Sequence, residues 1–168
     1  MAEPRFDLRD FRTALGQFAT GVAVITTRTD EGARAGMTAN SFASVSMDPP
    51  LVLWCPGKQV PSAASFERST HFAINVLASG QRALSRQFAT PSSDKFAGVA
   101  VREGLAGVPL LEGALATFEC RTVARHDAGD HLIYVGEVER YEYAPDAPLV
   151  FHAGSYHDTA THRSVLAG

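Results

Sequence analysis

The residues of this chain best suited to chemistry lie in one segment, Gly36-Met37-Thr38-Ala39-Asn40-Ser41-Phe42-Ala43-Ser44-Val45-Ser46, closed by Asp48-Pro49-Pro50. Most of them offer a hydroxyl, an amide or a side chain small enough to let backbone approach a ligand. That composition suits a surface that hydrogen-bonds a flat polar ring and a phosphate. An ordinary strand and turn rich in Ser and Thr is the alternative that the segment by itself leaves open. A second polar group, Gly129-Asp130-His131, stands between two strand-like runs.

Motifs that need fixed spacing for catalysis by protein side chains are absent. There is no G-x-S-x-G elbow, no H-E-x-x-H, no lysine after a phosphate-binding glycine loop and no G-x-G-x-x-G between strand and helix. The histidines, His71, His126, His131, His152, His157 and His162, form no close pair on one face of a convincing element, so no metal site is expected. Cys55 and Cys120 sit inside apolar strands, which disfavours a cysteine nucleophile. A hydrolase or metalloenzyme is therefore disfavoured. A protein that positions a cofactor, and leaves the hard chemistry to it, stays open.

The elements that must position these groups belong to a chain of 168 residues, which reads as one domain, residues 1–168. A hydrophobic content of 45% with 20% charged residues is that of a soluble globular protein. The net charge of −3 and pI near 6.0 give no footprint for nucleic acid. No apolar run is long enough to span a bilayer, and the N-terminus, Met1 to Asp7, is too polar for a secretory signal. The two cysteines could form one disulfide, but two buried thiols in a reducing compartment is the expected state, and a cytoplasmic location follows.

Leu8, Phe11, Leu15 and Phe18 recur at helical steps behind Asp7, a candidate N-cap. Beyond Gly21 the pattern turns to strands. Val22, Val24 and Thr26 alternate with Ala23, Ile25 and Thr27, apolar on both sides. A polar turn, Arg28 to Arg34, leads to a return strand over Met37 to Ser46. A third strand covers Leu51 to Cys55, between Pro50 and the turn Pro56-Gly57. Ser62 is placed to cap a short helix, Ala63 to Arg68, and Phe72 to Leu77 is a fourth strand. Ser79 opens a further helix in which Leu84 and Phe88 share a face. Pro91 to Leu110 reads as loop, with one helical turn near Asp94. Phe118 to Ala124 alternates, His131 to Tyr143 is long enough to bend, with Gly136 as candidate bulge, and Leu149 to His152 is a last strand. About seven short strands with few helices predict a mainly β protein, an antiparallel, Greek-key-like barrel with peripheral helices. A doubly wound parallel sheet is disfavoured because too few strands are followed by a crossover helix.

The ordered set Phe18 to Thr27, Gly36 to Phe42, Pro49-Pro50-Leu51-Val52, Phe72 to Leu77, Asp94-Lys95-Phe96-Ala97-Gly98, Gly129-Asp130-His131 and Gly136-Glu137-Val138 resembles the short-chain NAD(P)H:flavin oxidoreductases. These are the reductase components of two-component flavin monooxygenases, and the resemblance runs from about Phe11 to Tyr156. It implies an FMN-binding split β-barrel, a homodimer with flavin near the subunit boundary, and reduction of FMN, or of FAD, by NADH or NADPH. It further implies that reduced flavin serves a separate oxygenase.

By position, Met37, Thr38, Ala39, Asn40 and Ser41 match the segment that holds the flavin ring edge and ribityl chain. Cys55, Pro56, Gly57 and Lys58, with Ser62 after them, match the turn that receives the phosphate, where a helix start and the Lys58 charge would favour an anion. Lys95 belongs to a further matched run. His131 is the residue that the resemblance sets beside the nicotinamide, to orient it, and His152, Gly154 and Tyr156 match a C-terminal segment bordering that pocket. One departure is Ala63, where many relatives place a bulky aromatic, which would leave room for FAD. The chain also ends at Gly168 without an added regulatory domain, so ligand-controlled activity is not expected. Two other readings remain: an oxidase of the same barrel type that keeps its flavin, and a flavin-binding module without turnover.

Overall fold

The computed structural model describes residues 7–159; the segment 1–6 and His162 lie outside the described residues. Helix α1 spans Leu8–Leu15, and the Asp7 carboxylate accepts from the Arg9 N–H at 2.8 Å, as its capping role requires. Its apolar stripe forms but is not covered: Leu8 is 57% exposed, Leu15 58% and, just beyond the helix, Phe18 80%.

Strands β1 (Thr20–Gly21), β2 (Ala23–Arg28) and β3 (Arg34–Ala39) follow, then β4 (Ala43–Met47), β5 (Pro50–Trp54) and β6 (His71–Val76). Two long strands, β9 (Ala116–Ala128) and β10 (His131–Tyr143), complete a seven-stranded sheet in the order β3-β2-β6-β9-β10-β5-β4, every pair antiparallel. Burial on both faces of β2 has a plain cause. Ala23 and Ile25 enter a core with Val52, Trp54, Phe66, Phe72, Ile74, Cys120 and Tyr134. Val22 and Val24 enter a second core with Leu77, Phe88, Phe96, Leu111 and Leu149.

The expected return strand, Met37 to Ser46, is two strands on opposite ends of the sheet. β3 pairs with β2, whereas β4 pairs with β5, and residues 40–42 carry the chain between them. β3 already begins at Arg34, so the turn is shorter than expected, closed by Thr29 N–H donating to Ala33 O at 2.9 Å. The barrel stays split because the edges β3 and β4 do not pair with each other.

Gly136 is at a bulge as expected: the β9–β10 register shifts between Val135 and Gly136, and again between Val138 and Arg140. A Cβ at Gly136 would overlap the Phe72 ring and come within 2.9 Å of Cys120 Cβ, so this close approach requires glycine.

Other expectations change. Pro91 to Leu110 is not all loop: β7 (Val101–Glu103) and β8 (Pro109–Leu111) form a hairpin whose β8 leans on β2 and β6. β11 (Leu149–His152) pairs with β1 and with β12 (Ser155–Asp158), a strand too short and polar for its pattern to show. The described residues hold twelve strands in place of about seven, because the short β1, β7, β8 and β12 carry no readable period and the run Met37 to Ser46 divides in two. Helix α2 (Ala63–Glu67) is one residue shorter than expected, and Ser62, in helical dihedrals, makes no side-chain cap. Ser79 opens a 3-10 turn, Ser79–Gln81, ahead of helix α3 (Arg82–Ala89). Both cysteines are free thiols. Cys120 is buried, with its pKa pushed up to about 12 by burial, while Cys55 is only half-buried.

Candidate functional site

An edge strand exposes a row of backbone N–H and C=O groups that no neighbouring strand uses. β3 is such an edge, and three clefts open along it. The upper end runs into residues 40–42, where Ala39, Asn40, Ser41 and Phe42 face Thr20, Gly21 and Val22 across a cleft of about 490 Å³. A smaller cleft of about 180 Å³ adjoins it, lined by Val22, Thr38, Ala39, Asn40, Phe151 and Tyr156.

The hydroxyls expected to face a ligand are already committed. Thr38 Oγ1 donates to Ser85 O at 2.6 Å, and Ser41 Oγ accepts from Cys55 N–H at 2.9 Å. These bonds tie β3 to α3 and residues 40–42 to the end of β5, so they hold the wall rather than offer it. The exposed Asn40 amide is left free, with no protein partner among the described residues, and the backbone of the edge stands beside it. Thr20 Oγ1 is buried without a hydrogen-bond partner. Met37 turns the other way and packs on the barrel core. Tyr156 reaches the small cleft held by a 2.8 Å hydrogen bond between its hydroxyl and Ser85 Oγ, with Phe151 5.4 Å away centre to centre. His152 and Gly154 line neither cleft. The His152 ring lies 5.8 Å from His157, and Gly154, at φ +78°, makes the β11–β12 turn.

Lower on β3, Arg34, Ala35 and Gly36 wall a polar cleft of about 430 Å³ with Pro61, Ser62, Ser65 and residues 92–96. Ser62 and Lys95, far apart in sequence, meet here. The Lys95 ammonium donates to Phe88 O at 2.8 Å and Gly36 O at 3.3 Å, and partial burial lowers its pKa. Ala63 does not widen this cleft; it is 7% exposed and turns inward with Phe66.

His131 stands at the tip of the β9–β10 hairpin, reached through a two-residue turn in which Gly129 takes φ +68°. Its Nδ1 lies 2.7 Å from Asp130 Oδ1, and that hydrogen bond holds the Asp130 carboxyl below its ordinary range. The tip is clipped to the turn after β5: Lys58 N–H donates to Asp130 O at 2.9 Å, Leu132 N–H to Pro56 O at 3.0 Å, and Gly57 bridges to His131. Cys55, Pro56, Gly57 and Lys58 therefore adjoin His131 and line none of the β3 clefts. The Lys58 ammonium pairs with Asp127 on the same hairpin, so its charge is already balanced. Moreover α2, at five residues, is too short to give an anion a helix start. Residues that sequence reasoning missed are Thr20 and Phe151 in the upper clefts and Arg34 and Ser65 in the lower. Each lies on a different element, and no local pattern links them.

A model of the flavin reductase like domain matches residues 15–160. FMN reductase (NADH) SmoA of Agrobacterium fabrum is 51% identical over 148 residues, covering 88% of this chain and 84% of that protein. The reductase subunit HsaB of a flavin-dependent monooxygenase from Rhodococcus jostii is 44% identical over 157 residues, covering 93% and 80%. The solved structure of Streptomyces globisporus NADH:FAD oxidoreductase SgcE6, in complex with NAD and FAD fragments, superposes with a TM-score of 0.89 at 37% identity. That superposition covers 98% of this chain and 99% of that one.

Proposed function

The chain belongs to the flavin reductase like family, and from that premise we infer that it is an NADH-dependent flavin reductase, the reductase component of a two-component flavin monooxygenase. The observation that carries this reading is the free edge of β3, with an apolar cleft at one end and a polar one at the other. These residues fit a flavin. Edge amides and the free Asn40 amide suit the polar rim of its ring, and the serines of the polar cleft suit the phosphate end. When bound, FMN or FAD supplies the acceptor for a hydride from NADH.

The chain's own part is positional. Thr38 and Ser41, by their bonds to Ser85 and Cys55, keep the β3 edge from shifting as ligands come and go. Asn40, with Ala39 beside it, holds the ring edge; Ser62 holds the phosphate end, and the Lys95 ammonium fixes the Gly36 and Phe88 carbonyls that wall it. Tyr156 and Phe151 close the small cleft and exclude water, which hydride transfer requires. His131 orients the nicotinamide, with Asp130 fixing its ring and the Cys55–Lys58 turn supporting it from below. The reduced flavin then passes to a separate oxygenase. Replacing Asn40 with leucine should weaken flavin binding by about 1–3 kcal/mol through loss of a polar partner. Titration of the apo protein with FMN reads this directly, and an unchanged dissociation constant removes Asn40 from the site.

The chain is read as one domain that works as a homodimer. Support comes from apolar surface left uncovered in one copy: the α1 stripe, Phe18 beside the upper cleft, and Met47 on the edge strand β4, 90% exposed. Covering them with a two-fold partner would also close the open clefts and give two equivalent sites. Sedimentation should show a species of twice 18.0 kDa at micromolar concentration. A monomer that still binds flavin refutes the dimer. Two free cysteines support a reducing, cytoplasmic setting, and no helix among the described residues is long and apolar enough to cross a membrane.

A further inference from the structure

We propose that the lower β3 cleft is a nucleotide subsite in which Arg34, packed on Phe96, binds the adenylate half of FAD and so selects FAD over FMN. The proposal rests on the flavin reductase reading of the β3 edge and specifies what its polar end recognises.

Four features of the cleft point to a nucleotide. The first is an unbalanced cation. Of the two cations that line the cleft, Lys95 spends its ammonium on the carbonyls of Phe88 and Gly36. Arg34 takes part in none of the ion pairs among the described residues. It also lies directly opposite Arg28 in the β2–β3 register, and only Arg28 has a carboxylate, Glu103, at 3.4 Å. Of these two neighbouring arginines, Arg34 is the one whose charge is left for a bound anion.

The second feature is a flat platform. The Arg34 guanidinium lies 4.9 Å from the centre of the Phe96 ring, and Phe96 is fixed edge-on against Phe88 at 5.0 Å. A guanidinium held over an aromatic face is planar and weakly hydrated, and it both stacks on bases and forks onto phosphate oxygens.

Third, the cleft carries hydroxyls without a protein partner among the described residues, on Ser62, Ser65 and Ser93. Fourth, it contains a carboxylate. Asp94 accepts from Phe96 N–H at 3.0 Å and keeps acceptor capacity beyond that bond. A terminal phosphate close to two negative charges is disfavoured beside Asp94, whereas ribose hydroxyls or an exocyclic amine donate to it. At about 430 Å³ the space is that of a small-molecule site, larger than one phosphate needs.

The test is binding of riboflavin, FMN and FAD to the purified full chain, followed by quenching of flavin fluorescence. The parent is expected to bind FAD about tenfold more tightly than FMN, the worth of one charge-assisted contact with stacking. Arg34→Ala should bring that ratio to about one and leave riboflavin affinity unchanged, which also reports that the variant is folded. On the parent alone, excess AMP should weaken FAD binding without displacing riboflavin. Equal affinity of the parent for FAD and FMN, or an Arg34→Ala protein that keeps the parent's ratio, overturns the proposal. A parent that binds no flavin and oxidises no NADH overturns the flavin reductase reading with it.

Discussion

Replacing His131 with alanine is expected to leave flavin bound and to slow its reduction by NADH about a hundredfold, the cost of misplacing a reacting ring by about an ångström. The hairpin tip does not depend on the imidazole for its shape. Backbone bonds from Lys58 N–H to Asp130 O and from Leu132 N–H to Pro56 O clip it to the turn after β5, and alanine keeps both. What alanine removes is the ring that Asp130 holds through Nδ1. Hydride transfer needs two rings stacked and dry rather than a protein acid, so the loss should appear in rate and hardly in flavin affinity. Stopped-flow reduction by NADH, read beside a melting curve, separates an orienting role from a structural one. A stable, flavin-loaded variant reduced at the parent rate takes His131 out of the site. A variant that loses flavin and melting temperature together makes it structural.

Asn75→Leu is expected to cost stability heavily, at a position that lines none of the β3 clefts. Asn75 is fully buried at the crossing of β2, β6 and β8. Its amide donates to Val24 O at 2.9 Å and Thr26 Oγ1 at 3.0 Å, and its carbonyl accepts from Leu111 N–H at 2.9 Å. Thr26 Oγ1 in turn donates to Pro109 O at 2.6 Å, so one amide and one hydroxyl dock the β7–β8 hairpin onto the barrel. Leucine has similar volume and leaves no cavity, but it strands the buried Leu111 N–H. Loss of this satisfied network should cost about 3 kcal/mol. For a chain of this size that is a fall in melting temperature of roughly 6–12 °C. A thermal melt of the flavin-free protein checks it. A shift under about 2 °C would mean that water replaces the amide and that the hairpin docks by apolar contact alone.

The elements that the sequence made legible are those whose signal is local. Asp7 caps α1 because a capping carboxylate acts within two residues of its own position. β2 reads as a strand apolar on both faces, and it lies between two cores. Gly136 reads as a bulge because a glycine inside a long alternating strand has few other uses, and the Phe72 ring fills the space a side chain would need. The ordered motifs from Phe18 to Val138, within a resemblance running from about Phe11 to Tyr156, were enough to indicate the family and its flavin.

What stayed hidden is whatever depends on partners distant in sequence. No period in Met37 to Ser46 says that the run breaks at Asn40, because β3 and β4 choose partners, β2 and β5, that lie on opposite ends of the sheet. Thr38 and Ser41 look like ligand groups in sequence, and only the fold shows that their hydroxyls also bond Ser85 and Cys55. Lys58 looks like a phosphate cation until the β9–β10 hairpin brings Asp127 to it, while Arg34, at the end of a polar turn, becomes the unbalanced cation of a cleft. Sequence pattern alone determined the longer strands of the barrel, such as β2, β6, β9 and β10, and the family they belong to, because periodicity and motif order are properties of neighbouring residues. Tertiary structure alone decided which polar side chains remain free for a ligand, because a hydrogen bond or ion pair is committed only when folding delivers its partner.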